Sequence, residues 1–132
     1  MKKQQSGIMN KNKLLIIIGG ISGFTAVALG AFGAHGLKDI ISDQMLDIYK
    51  TGVLYQLIHS LAILAIGLSV KEKFFKAAIF FLIGIILFSC SLFAYSFTQI
   101  KVLTFITPLG GISFLIGWLL IILNGIKMKM DS

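Results

Sequence analysis

Four long stretches of the chain carry no charged side chain, and short lysine-bearing segments separate them. Leu14 to Leu37 is 24 residues long, Thr51 to Val70 is 20, Ala77 to Ile100 is 24 and Val102 to Ile126 is 25. A hydrocarbon core about 30 Å thick is crossed by roughly 20 residues of helix, so each stretch is long enough to span. Backbone polar groups in lipid must pair within the structure, and a closed barrel needs more alternating strands than this chain supplies. The pattern predicts an all-α integral membrane bundle of four transmembrane helices, at about 14–35, 52–70, 77–98 and 104–126. Residues 1–13 are then a basic N-terminal segment, 14–126 a single membrane domain and 127–132 a C-terminal tail. A basic start before an apolar run also fits a signal peptide, but this run exceeds the usual 7–15 residues, so it is expected to stay as a helix.

Finer patterning lies within and between the runs. Gly19, Gly23, Ala26, Gly30 and Gly33 recur at steps of four and three, a stripe of small residues that lets a neighbouring backbone approach closely. Packing within the chain is the expected use. Between the first two spans, Leu37, Ile41, Met45 and Ile48 fall on one helical face, and Asp39, Asp43 and Asp47 on another. This pattern predicts a short amphipathic interfacial helix, with Ser42 capping its main part and the aspartates forming a solvated face. The last run holds the chain's one proline. Thr107 is expected to cap a helix starting at Pro108, which makes 101–106 an interfacial segment; the alternative is a kink in a helix that begins near Val102.

Composition agrees with this setting and narrows the function classes. The uncharged runs hold 93 of 132 residues, so all 12 lysines and five acids are confined to the other 39. At 57% hydrophobic and 13% charged residues, against about 25% charged in soluble domains, the chain is too apolar for a soluble enzyme or a disordered tail. Nine lysines lie before the first span, between the second and third, and after the fourth, whereas Lys38, Lys50 and Lys101 face the other side with three aspartates. Cytoplasmic segments retain positive charge, which predicts a multi-pass protein of the cell membrane with both termini cytoplasmic. Lysines split among three segments, without arginine, argue for contact with membrane lipids and against nucleic acid. Cys90 is the single cysteine, so an internal disulfide is excluded.

Polar groups inside the spans are where chemistry is sought first. Tyr55, Gln56, His59 and Ser60 share a helical face, and His35 near the end of the first span is the expected neighbour of His59. Ser91 adds a hydroxyl on the third span. Two histidines on adjacent helices suit a metal or haem ligand pair or a proton relay. A metal site needs three or four ligands, however, and no third histidine, cysteine or acid lies within the spans on that side, so hydrogen bonding that fixes the helices is preferred. No acid lies within any span to orient a catalytic base or couple proton transport. The expectation is therefore no catalytic residue, no metal and no cofactor.

Several segments resemble motifs of a known family. Gly30-Ala31-Phe32-Gly33-Ala34-His35-Gly36-Leu37, Tyr55-Gln56-Leu57-Ile58-His59-Ser60-Leu61-Ala62, Phe88-Ser89-Cys90-Ser91-Leu92 and Thr107-Pro108-Leu109-Gly110-Gly111, with Gly117-Trp118, resemble in order the motifs of the domain of unknown function 423 family. That family comprises small four-helix inner-membrane proteins with YwdK-like and YgdD-like members. Cys90 stands where glycine is common, and Gly36 and Ser60 where alanine is frequent. The resemblance implies the same four-helix membrane fold and singles out His35, Tyr55, Gln56, His59, Ser91, Pro108, Gly110 and Gly111, without assigning any of them a reaction. The expected function is a non-enzymatic structural or interaction protein, with a second copy or other membrane proteins as partners. The alternative is a small transporter, channel or cofactor carrier built on His35 and His59.

Overall fold

The computed structural model describes residues 1–129, without the side chain of Ile8. Residues 130–132, part of the expected cytoplasmic tail, lie outside the described residues. Four helices long and apolar enough to cross a membrane make up the fold: α1 (Lys2–His35), α2 (Asp43–Ser69), α3 (Glu72–Thr98) and α4 (Leu103–Ile126). There is no strand among the described residues. Each helix packs antiparallel on the next, α1 on α2, α2 on α3 and α3 on α4. Both helical termini, Lys2 and Ile126, therefore share one end with the α2–α3 connection.

Ser42 begins α2 as the sequence suggests: it is extended, and its hydroxyl accepts from Met45 N at 3.3 Å. The separate interfacial helix is not formed. Residues 37–41 make a turn in which Ile40 N and Ile41 N both donate to Leu37 O, and from Asp43 the helix runs unbroken into the span. The physical reason is where the apolar face goes. Leu37, Leu46 and Tyr49 are buried against Leu29, Ile41, Val53 and Phe93, so protein rather than lipid covers them.

The start of α4 follows the alternative of a helix begun near Val102, not the preferred cap at Thr107. Leu103, Thr104 and Phe105 donate to Ile100, Lys101 and Val102, tight i→i+3 bonds that start the helix ahead of the proline. Pro108 thus lies inside α4, one turn beyond its start, where it removes a single backbone donor. Thr107 does not cap; its hydroxyl lies 3.1 Å from Leu103 O and 2.6 Å from Ser91 Oγ.

Helix α3 contains a π turn at Ile85–Ser89. The main apolar cluster gathers Ile63 and Ile66 of α2, Ala77, Ala78, Phe81 and Ile85 of α3, and Phe114 of α4, with Leu15 of α1. Lipid is as apolar as leucine, so close packing rather than exclusion of water holds these helices together. Glycine permits that closeness. A Cβ on Gly19 would meet Leu64 N at 2.9 Å, and one on Gly33 would meet the Tyr49 ring at 2.6 Å, so the α1 stripe is the α1–α2 seam. Gly110 faces the Phe88 backbone and Gly117 faces the Phe81 ring, which makes a second glycine seam between α3 and α4.

Candidate functional site

Several polar side chains of the spans are buried at the helix seams, and Ser89 is buried with no hydrogen-bond partner among the described residues. On α2, Gln56 turns toward α1, where Nε2 donates to Ser22 O at 3.0 Å and Thr25 Oγ1 at 2.9 Å. One turn further along, Ser60 Oγ lies 2.6 Å from both Ser22 Oγ and Gln56 O. Tyr49 closes the same seam by donating to Leu29 O at 2.6 Å. Across the other seam, Ser113 of α4 donates to Phe80 O of α3 at 2.7 Å, and Ser91 meets Thr107.

His59 occupies a different face of α2 and is 3% exposed. Its Nε2 lies 3.1 Å from Trp118 Nε1 of α4, and its Nδ1 lies 2.7 Å from Tyr55 O. Indole N–H can only donate and a carbonyl can only accept. The pair of contacts therefore fixes the neutral imidazole with its proton on Nδ1. Both ring nitrogens are engaged, which leaves no lone pair for a metal. The ring stacks on Phe114 with centroids 3.6 Å apart and planes 12° off parallel, and Phe81 approaches to 5.3 Å. Tyr55 stacks along the same column, 4.6 Å from Phe88, and its hydroxyl has no hydrogen bond among the described residues. Beside this column, a half-open groove of about 420 Å³ lies between α2 and α4, lined by Tyr55, His59, Pro108, Gly111 and Trp118.

The expected partnership of the two histidines is absent. His35 is exposed at the end of α1, and His59 finds Trp118 instead. More than four turns of α2 separate His59 from the helix start, whereas His35 sits level with that start, so the antiparallel pairing keeps them apart. Among the described residues, no three His, Cys, Asp or Glu side chains gather in metal-binding proximity. Cys90 is exposed on α3. Gly111 has open space around it, with Phe88 no nearer than 3.9 Å.

Sequence reasoning overlooked Trp118, Ser22, Thr25 and Ser113 as members of the polar set. Trp118 carried a usable signal, because a lone tryptophan inside a span brings an N–H that seeks an acceptor. Ser22 and Thr25 did not, since hydroxyls in membrane helices commonly bond their own backbone.

The family described as "Protein of unknown function (DUF423)" matches residues 29–111. The UPF0382 membrane protein YwdK of Bacillus subtilis is 45% identical over 120 residues, 87% of this chain and 98% of the relative. A UPF0382 membrane protein of Haemophilus influenzae is 45% identical over 122 residues, covering 90% and 98%. The UPF0382 inner membrane protein YgdD of Escherichia coli K12 is 37% identical over 122 residues, covering 89% and 93%. No solved structure matches.

Proposed function

We propose, from the premise that this chain belongs to the DUF423 family of membrane proteins, that it is a non-enzymatic component of the cell membrane acting through lipids or other membrane proteins. Both termini face the cytoplasm in this reading, as the lysine distribution requires. One observation carries it. Of the buried polar side chains in the spans, Gln56, His59, Ser60, Ser91 and Ser113 each bond to another helix and Ser96 bonds within its own, whereas Ser89 is without a partner among the described residues. Groups held this way fix helix rotation and register, and they are not free to act on a substrate.

The test is to purify the protein in mild detergent and measure what it carries and conducts. Native mass spectrometry reporting protein and lipid alone, with no Soret absorbance, no stoichiometric metal and no proton conductance in liposomes, is the expected result. Any one of those three signals would overturn the reading in favour of a cofactor carrier or channel.

A further inference from the structure

The end of the bundle that carries the helical termini holds nine lysines, and Glu72 is the one acid there among the described residues. Glu72 is already taken, since Lys11 Nζ lies 3.3 Å from its carboxylate. Lys13 has no acidic partner among the described residues. It lies beside Leu14, where the first uncharged run begins, and so stands at the level where headgroups give way to hydrocarbon.

At this level α1 and α2 leave a groove of about 530 Å³ between them. Asn12 and Lys13 line its polar end, and Ile17, Leu68 and Val70 line its apolar part, all three of these exposed. Gly67 forms the base, where α2 comes so near that an added Cβ would touch Ile16 N at 3.1 Å. Asn12 Nδ2 is buried and has no hydrogen-bond partner. An unpaired buried donor is costly, and because Asn12 lines the groove, a turn of its amide would bring that donor to an acceptor seated there.

We propose that this groove binds one anionic phospholipid, its phosphate held by Lys13 and Asn12 and an acyl chain laid along Ile17 and Leu68. The proposal rests on the non-enzymatic, lipid-contacting reading above and names the lipid class and its site. Charge complementarity selects the occupant. A second copy of the chain would bring its own lysines against these, and a free phosphate would leave the apolar walls uncovered. A lipid satisfies both ends.

The experiment uses the full chain in nanodiscs of equal phosphatidylglycerol and phosphatidylcholine with matched acyl chains, and reads retained lipid by native mass spectrometry after release into detergent. One phosphatidylglycerol retained in preference to phosphatidylcholine is expected. Lys13→Gln should lower that retention about fivefold, the effect of one lysine near an anionic surface. Asn12→Ala, which leaves the charge unchanged, should lower it at least twofold, while Lys129→Gln leaves it intact. Equal retention of the two lipids overturns the site, as does a loss for Lys129→Gln matching that for Lys13→Gln, because diffuse charge then explains the preference. If Lys13→Gln does not fold, Asn12→Ala alone decides. Failure here removes this site only; the non-enzymatic reading falls separately, on absorbance, metal or conductance.

Discussion

At the residue scale, the bond between His59 and Trp118 is the sharpest object in the bundle, because it joins two helices that are not neighbours in the chain. Hydrogen bonds between membrane helices contribute about 0.6 kcal/mol on average and up to about 1.7. His59→Ala and Trp118→Phe should each lower the melting temperature in detergent. Their double-mutant cycle should show a coupling within that range, and strict additivity would mean the contact is energetically idle. A second residue-level expectation concerns Gln99, which ends α3 with φ 54°, a left-handed conformation that costs a side-chain-bearing residue about 1–2 kcal/mol. Glycine adopts it freely. Gln99→Gly should therefore raise the melting temperature, and a fall would show that the glutamine side chain has a role of its own.

At the element scale, the two adjacent glycines of α4 have opposite surroundings and should behave oppositely. A methyl at Gly110 collides with the Phe88 backbone, which cannot retreat as a flexible side chain would, so Gly110→Ala should destabilise by about 1–3 kcal/mol. Gly111 has room, so Gly111→Ala should be neutral or gain up to about 1 kcal/mol in helix propensity. Thermal melts of the pair would show whether the α3–α4 seam is as tight as its geometry. The spans themselves were legible in the sequence because absence of charge over 20 residues has one physical meaning in lipid. The 37–50 connection was not. Its apolar residues announce a buried face, but whether lipid or protein does the burying depends on where Leu29 and Phe93 lie. The preference for a cap at Thr107 failed for a related reason: i→i+3 bonds from Leu103 to Phe105 begin the helix without any capping side chain.

At the scale of the whole molecule, the antiparallel order places nine lysines at one end and three aspartates at the other. Reporter fusions after Ile40 and after Val70 should therefore be active in the periplasmic and the cytoplasmic form respectively. The reverse result would place the termini outside and overturn the lysine argument. The polar residues were legible as a set, yet their partners were not. Spans that are apolar on every side carry no periodic signal for helix rotation, so nothing in the chain says that Gln56 faces α1 while His59, three residues later, faces α4.

The π turn at Ile85–Ser89 gives this small bundle one place where its length is negotiable. In an ordinary helix, loss of one residue swings everything beyond it through roughly 100°. A π turn is a helix carrying one residue more than its path requires, so a loss there collapses it to the ordinary form and leaves the flanking faces where they were. Deleting lipid-exposed Ile86 should thus preserve both Gly84 against Phe114 and Ser91 against Thr107, and the protein should still fold. Deleting Ile79, also exposed but upstream in ordinary helix, should turn the remainder of α3 away from its partners and abolish folding. Descendants of this chain can shed a residue within 85–89 without rebuilding either seam.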